Sequence, residues 1–242
     1  MNILTNRIEY SVGDARHLGY LACDDEISGK RPGIILVHEW WGLNDYMVRR
    51  AHMLAELGYV ALAIDMFGDG RVADNPDEAG GLMNGVLNDM ETGTAALEAG
   101  YQLLLNQVGV DPGRTAAIGY CFGGAMVLHM ARIGMPLSAV VSFHGALGSF
   151  HTAEPGTIKP VILVCHGAAD SMVSMQDLDA FKQEMDQAQA DYEVLLLDGA
   201  RHGFTNPQAD INAEKYGIDL GYQQQADARS WSAMQSLFER VF

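Results

Sequence analysis

The stretch that decides how this chain folds is IGYCFGGAM, residues 118–126. The apolar run TAAIGY ends immediately before Cys121, and apolar residues at helical spacing follow it in FGGAMVLHMARIG, residues 122–134. A short apolar run is typical of a buried strand, whereas the 3.6-residue period is typical of a helix. Glycines on both sides of the cysteine allow a turn in which larger side chains would collide. The stretch therefore predicts a strand, a sharp turn at Cys121 and a helix.

The rest of the chain repeats this alternation of apolar runs and helical segments. Helices are predicted over residues 45–59, from about 77 to 107 with an interruption at AGGLMNG, over 175–190 and at the C-terminus. Strands are predicted in RIEYSV, HLGYLAC, GIILVHEWWG, VALAIDMFG, TAAIGY after the turn DPGR, SAVVSFHG, PVILVCHG and DYEVLLLDG. This order indicates an α/β fold with a mostly parallel sheet. We expect one domain, residues 1–242, with functional groups at the carboxyl ends of the strands.

Composition and charge exclude several classes of protein. The net charge is −16 and no cluster of Lys and Arg is visible, which argues against binding to nucleic acids or anionic membranes. No apolar run is long enough to span a membrane, and the N-terminus lacks the pattern of a signal peptide. Cys23, Cys121 and Cys165 have irregular spacing that matches neither a disulfide framework nor a zinc site. We expect a reduced, cytoplasmic protein.

Cys121 is the candidate nucleophile, since GYCFG matches the strand-turn-helix motif G-x-nucleophile-x-G. A helix N-terminus favours a thiolate because the helix dipole and the first N–H groups stabilise negative charge. The alternative is a buried structural cysteine in a tight turn. This motif requires an acid and then a histidine later in the chain. Asp170, in HGAADS, and His202, in ARHGF, follow predicted strands in that order.

Two other carboxylates compete with Asp170 for the role of the acid. Asp65 follows an earlier strand and precedes the nucleophile, so its order in the chain is wrong. Asp198 lies close to His202 and can simply end its strand. In this interpretation His202 takes the thiol proton and later activates water, while Asp170 holds the imidazole in the required tautomer. His144 and His38, beside Glu39, are further candidates for lining the pocket.

The motifs GYCFGG, HGAAD, RHGF and HEWWGLND together resemble the dienelactone hydrolase family of α/β-hydrolases, over residues from about 10 to 242. The resemblance implies the α/β-hydrolase fold, a mostly parallel central sheet flanked by helices, with Cys121, Asp170 and His202 as catalytic residues. It also implies that Glu39 contacts the resting thiol and helps to form the thiolate when substrate arrives. The oxyanion hole would be the backbone N–H groups of Trp40 and Phe122. No metal and no cofactor are expected.

The substrate site departs from the family pattern. The family holds the carboxylate of its substrate with arginines, one of them four residues beyond the catalytic histidine, where this chain has Asn206. The segment after the Asp65 strand also lacks the second arginine, although Arg71 is nearby. An amide cannot replace the planar fork of a guanidinium at equal strength. The residues expected to contact substrate are Trp41, Phe67, Arg71, His144, Phe204 and Asn206.

The sequence therefore predicts a cysteine hydrolase of carboxylic esters or lactones that prefers neutral, hydrophobic aryl esters. Promiscuous hydrolysis of phosphotriesters is a further hypothesis, because the P=O oxygen develops charge where the ester oxyanion would lie. One alternative is a true dienelactone (carboxymethylenebutenolide) hydrolase. Alternatives from other classes are a redox-sensing thiol protein and a silent binding scaffold. The expected partner is a small-molecule ester or lactone, and the chain is expected to be a monomer or a homodimer.

Overall fold

The computed structural model of the chain describes residues 2–242, which contain eight strands interspersed with seven helices. The strands are β1 (Ile3–Val12), β2 (Ala15–Asp24), β3 (Arg31–Val37), β4 (Val60–Ile64), β5 (Val110–Tyr120), β6 (Ala139–Phe143), β7 (Val161–Gly167) and β8 (Tyr192–Leu197). The helices are α1 (Asp45–Glu56), α2 (Pro76–Leu87), α3 (Met90–Leu105), α4 (Phe122–Arg132), α5 (Met175–Gln187), α6 (Ala209–Tyr216) and α7 (Gln224–Val241). The alternation predicted from the apolar runs is confirmed.

The chain divides into two compact units, the first of which ends at Ile118. In this first unit β1 and β2 form an antiparallel hairpin, β2 pairs antiparallel with β4, and β4 pairs parallel with β3. Every residue of β4 is buried, as expected for a strand covered on both faces. Helix α1 packs against β2 and β4 through a stripe that includes Met47 and Leu54, while α3 packs against β1, β3 and β4.

The second unit begins at Gly119. Its strands β6, β7 and β8 are all parallel, and Phe143 lies beside Cys165 in their register. Helix α4 is buried along its whole length and packs against β6, while α7 packs against β6, β7 and β8. Parallel strands end at the same edge of a sheet, so the loops that follow β6, β7 and β8 lie near one another. That edge carries the residues after Phe143, Gly167 and Leu197.

Two local predictions from glycine and proline were wrong. The segment AGGLMNG does not interrupt a helix but lies inside α2, and the break falls instead at Asn88 and Asp89. Asp89 begins α3 because its side chain accepts the N–H of Thr92, at 3.1 Å. The predicted turn DPGR lies within β5, which begins at Val110. Helix α2 forms despite its glycines because it is capped at its start, where the side chain of Asn75 accepts the N–H of Glu78, at 3.0 Å.

None of the helices in residues 2–242 combines the length and the apolar character needed to cross a membrane. A single domain over residues 1–242 stays a prediction.

Candidate active site

Cys121 joins β5 to α4 in a strained backbone conformation. Its φ is 52° and its ψ is −116°, a combination that residues other than glycine rarely adopt. Its carbonyl accepts the N–H of Gly124, at 2.9 Å, and so begins the helix, while its own N–H donates to the carbonyl of Phe143, at 3.0 Å. Strain of this kind persists only where the surroundings hold it, and it concentrates at functional sites. The predicted sharp turn at Cys121 is confirmed.

The glycines around Cys121 are required by close contacts. A Cβ atom on Gly119 would lie 2.0 Å from the carbonyl oxygen of Gly123, far inside any real contact. A Cβ atom on Gly124 would lie 2.6 Å from Oγ of Ser142 and 2.7 Å from Cα of Gly145. The turn can therefore approach its own helix and the end of β6 only because these positions have no side chain.

His202 and Asp170, 32 residues apart in the chain, form a buried hydrogen bond of 2.9 Å between Nδ1 and Oδ2. The other oxygen of Asp170 accepts the N–H groups of Met172 and Val173, both at 2.9 Å. The carboxylate is fully buried, and the imidazole is only 6% exposed. The turn after β7 thus fixes Asp170 through Oδ1. Oδ2 accepts a hydrogen bond from Nδ1 of His202, so the neutral imidazole carries its proton on Nδ1.

His202 also forms a side-chain hydrogen bond with Cys121. Burial by itself lowers the pKa of His202, but the charge of Cys121 and the hydrogen bonds to Asp170 and Cys121 outweigh it and raise the pKa to about 10. The ring of His202 therefore holds its proton more tightly than a free imidazole does. An imidazolium beside a sulfur atom is the arrangement that supports a reactive thiolate.

The competing acids take no part in this arrangement. Asp65 accepts the N–H groups of Phe67, Gly68, Gly70 and Leu18, so both of its oxygens hold the loop after β4. Asp198 is exposed, and its carbonyl accepts from the side chain of Gln223. Asp170 is the carboxylate that the structure places on His202.

His144 lies against the imidazole of His202 and in turn contacts Phe204 and Thr205. The ring of His144 lies 5.3 Å from that of His202, and the ring of Phe204 lies 5.0 Å from His144, both in edge-to-face geometry. Thr205 contacts His144, with Oγ1 and Nε2 separated by 2.6 Å. Nothing in the local sequence HGFTN distinguishes Thr205, so sequence reasoning missed it.

Asn206 lies in the same loop, three residues before α6 begins. Its side-chain oxygen accepts the N–H of Gln208, at 2.9 Å, and the residue is 4% exposed. A contact between Asn206 and substrate stays a prediction.

In the first unit, the loop after β3 carries Glu39, Trp40 and Trp41. Glu39 is a buried carboxylate, 4% exposed, and its carbonyl accepts from Nδ1 of His38, at 2.6 Å, and from the N–H of Gly42. Trp41 is buried, whereas Trp40 is partly exposed, and their rings lie 5.0 Å apart. The roles of Glu39 and of the Trp40 N–H stay predictions.

A cavity of about 530 Å³ lies within the first unit, between the loop after β4, the turn of the β1–β2 hairpin and helices α2 and α3. Phe67 and Arg71, two of the residues predicted to contact substrate, line it together with Arg16 and Leu82. Nε of Arg71 donates to the carbonyl of Gly68, at 3.2 Å, and Nη2 donates to that of Phe67. The lining thus combines one large aromatic side chain, Phe67, with the guanidinium groups of Arg16 and Arg71.

Comparison with known proteins decides the family. The sequence profile of the dienelactone hydrolase family matches residues 18–242. The chain belongs to the dienelactone hydrolase family. A Synechocystis protein that carries carboxymethylenebutenolidase as a provisional name is 28% identical over 239 residues, which cover 91% of this chain and 90% of that protein. The predicted resemblance is confirmed.

Two solved structures resemble this dienelactone hydrolase family member over nearly its whole length. One is described as P91, a dienelactone hydrolase-like promiscuous phosphotriesterase from metagenomic libraries, with 38% identity, a TM-score of 0.90 and 99% of both chains covered. The other, named m3DLH, has 39% identity, a TM-score of 0.92 and the same coverage. The chain therefore has the α/β-hydrolase fold of its family, with a mostly parallel sheet flanked by helices, as predicted.

Proposed function

We propose that this member of the dienelactone hydrolase family hydrolyses carboxylic esters or lactones with Cys121 as the nucleophile. The observation that carries the proposal is the position of His202, which is hydrogen-bonded to Asp170 at 2.9 Å and also to Cys121. A nucleophile, a base and an acid that orients the base are the parts that acyl transfer requires.

The first half of the reaction forms a thioester. The sulfur of Cys121 attacks the carbonyl carbon, and the electron pair of the C=O bond moves to oxygen. When this tetrahedral species collapses, the C=O bond re-forms and the bond to the leaving alkoxide breaks. The imidazolium of His202 donates its Nε2 proton to the leaving oxygen, and an alcohol departs. His202 has taken this proton from the thiol of Cys121, and its raised pKa holds the proton until the leaving oxygen accepts it.

The second half hydrolyses the thioester. Nε2 of His202, now neutral, takes a proton from water while the water oxygen attacks the acyl carbon. Collapse of this species breaks the C–S bond, and the sulfur leaves as a thiolate with the acid product. Asp170 stabilises the imidazolium that forms at this step, without itself taking the proton.

The oxyanion of both steps needs hydrogen-bond donors. We assign this role to the N–H groups of Phe122 and Trp40. Phe122 is the first residue of α4, where N–H groups point away from the carbonyls of their own helix and the helix dipole favours negative charge. Loss of one such donor typically reduces kcat by about 10² to 10³.

Neutral, hydrophobic esters are the proposed substrates, with aryl esters preferred. Asn206 stands where the family pattern has an arginine, and the net charge of −16 disfavours anions over the surface as a whole. Trp41 and Phe67 are the residues proposed to contact an aryl group. An anionic dienelactone would need Arg71 as a replacement for the missing arginines.

Phosphotriester hydrolysis is a second candidate activity, favoured by the similarity to P91, which is itself described as a promiscuous phosphotriesterase. The sulfur of Cys121 would attack phosphorus, and the P–O bond to the aryloxide would break. Water activated by His202 would then attack phosphorus and break the P–S bond. Stoichiometric inactivation without turnover would contradict this second step.

The test is a burst-phase assay of wild type, Cys121→Ala and Cys23→Ala on p-nitrophenyl esters, a dienelactone and an aryl phosphotriester. Cys23 is a partly exposed cysteine of the first unit and serves as the matched control. We expect Cys121→Ala to lose more than about 10³-fold in kcat and Cys23→Ala to keep it. Ester turnover that survives in Cys121→Ala would refute the nucleophile, and a thiol that only titrates with oxidant would favour the redox alternative. Dienelactone as the fastest substrate would favour the true dienelactone hydrolase.

A cytoplasmic location and a monomeric or homodimeric state stay predictions.

A further inference from the structure

His144, the residue that follows β6, has a backbone conformation unusual for a residue other than glycine, with φ of 41°. Its N–H donates to the carbonyl of Cys165 in β7, at 2.9 Å, and its Nε2 lies 2.6 Å from Oγ1 of Thr205. Such a conformation persists only where surrounding contacts hold it. His144 is therefore held in place from two neighbouring parts of the chain.

Phe143 and His144 bond to Cys121 itself, to the strand before the Asp170 loop and to the loop that carries His202. The carbonyl of Phe143 accepts the N–H of Cys121, at 3.0 Å. The N–H of His144 bonds to β7, the strand that leads into the turn of Asp170. The side chain of His144 bonds to Thr205, in the loop that carries His202. One junction at the end of β6 thus ties together the nucleophile, the acid loop and the base loop.

The side chain of His144 has no surface exposed to solvent, with a relative exposure of 0%. Its ring packs edge to face against His202, at 5.3 Å, and against Phe204, at 5.0 Å. A group without exposed surface has no face to offer a substrate in this structure. Its contacts act instead on the loop of His202, which favours support over substrate binding.

We propose that His144 is a positioning residue that orients His202 through its hydrogen bond to Thr205. This inference rests on the proposed function. The bond to Asp170 restrains only Nδ1 of His202, so the direction of Nε2 also depends on where the loop holds the backbone of His202. The hydrogen bond between His144 and Thr205 anchors that loop to the end of β6, which also anchors Cys121. The end of β6, formed by Phe143 and His144, then sets the distance between His202 and Cys121.

Removal of the Thr205 hydroxyl tests this role without changing any group proposed to react. In Thr205→Val, a nearly isosteric change, we expect kcat for p-nitrophenyl acetate to fall about ten- to hundredfold, because small displacements of a base are costly. KM should stay within about twofold, since no substrate contact is lost. Thr205→Ser retains the hydroxyl and should recover most of kcat.

The matched control is Thr115→Val, because Thr115 is also buried and shares a hydrogen bond of 3.1 Å with the hydroxyl of Tyr101. It should leave kcat unchanged. A second variant, His144→Asn, breaks the same bond from the other side with a residue that tolerates positive φ. It should lower kcat with little change in KM, as Thr205→Val does. Unchanged kcat in either folded variant, or no recovery in Thr205→Ser, would overturn the proposal.

Two measurements separate this inference from the proposed function. The rate at which iodoacetamide alkylates Cys121 depends on how well His202 stabilises the thiolate, and its measurement requires no turnover. Thr205→Val should lower this rate. Cys121→Ala is assayed in parallel. If Cys121→Ala stays active, the nucleophile is wrong. If Cys121→Ala is inactive while Thr205→Val alkylates and turns over like wild type, only the positioning role fails.

Discussion

Nδ1 of His202 lies 2.9 Å from Oδ2 of Asp170, and the carboxylate is completely shielded from solvent. The second oxygen of Asp170 is occupied by the N–H groups of Met172 and Val173. The carboxylate therefore has one oxygen for its own loop and one for the base. Replacing Asp170 therefore tests the proposed mechanism, because one of its oxygens acts directly on His202.

Replacing the acid should remove activity without removing the fold. Asp170→Asn keeps the size of the side chain but presents an amide to Nδ1, which stabilises the wrong tautomer of His202. We expect kcat for a p-nitrophenyl ester to fall by about 10³ to 10⁴. Asp198→Asn, at the exposed rival acid, is the control and should retain wild-type kcat. Equal losses in the two variants would contradict the assignment of Asp170.

The stability of the protein should depend on pH through His202. Burial lowers the pKa of this group, but Cys121 and Asp170 raise it from 6.5 to about 10 in the folded state. A raised pKa means tighter proton binding in the folded state, so this stabilisation is complete below the unfolded value and is lost as the pH approaches the folded value.

The measurement is the free energy of unfolding in urea for wild type and His202→Gln, at several pH values between about 7 and 10. The advantage of wild type over the variant should shrink steadily as the pH rises. An advantage that is constant or that grows over this range would show that His202 is not held as a cation.

Replacing Gly119 should destabilise the protein, whereas replacing a glycine in open space should not. In Gly119→Ala the added Cβ would lie 2.0 Å from the carbonyl oxygen of Gly123, so the turn at Cys121 must deform. We expect destabilisation of about 3 kcal/mol or more, with loss of activity. Gly80→Ala, in α2, meets no atom within 4 Å and should be neutral or stabilising by about 0.5 to 1 kcal/mol. Thermal unfolding of both variants checks the contrast.

The proposed role of Glu39 predicts two opposite effects of Glu39→Gln. Removal of a carboxylate that contacts the resting thiol should speed alkylation of Cys121 by iodoacetamide about tenfold, since a nearby negative charge disfavours a thiolate. Ester turnover should fall, because the same group helps to form the thiolate when substrate arrives.

Glu98→Gln, at an exposed glutamate of α3, is the control for the loss of one charge. Slower alkylation in Glu39→Gln, or the same change in both variants, would argue against contact between Glu39 and the thiol.

Residues next to one another in the chain were sufficient to predict most of the fold. Branched apolar runs predicted the strands, and the glycines around Cys121 predicted the turn that the structure shows. The errors at AGGLMNG and DPGR arose because glycine and proline report only local backbone preference. The energy of a helix or a strand also depends on how its ends are capped and on what pairs with it.

The candidate site was predictable in part. The chain order of Cys121, Asp170 and His202 was visible because each follows an apolar run, and loops after parallel strands meet at one edge. Asp65 and Asp198 could be ranked lower by order and spacing. The four N–H groups that Asp65 binds became visible only in the folded chain.

By itself the sequence determined the alternation of strands and helices, the turn at Cys121 and the residue types available for acyl transfer, since each depends on neighbours in the chain. Only the tertiary structure decided which groups touch. The bond between His144 and Thr205 joins residues 61 positions apart. The bond between Cys121 and Phe143 likewise joins the turn after β5 to the last residue of β6. Such contacts leave no periodic trace in the sequence, because they form where strands distant in the chain end side by side.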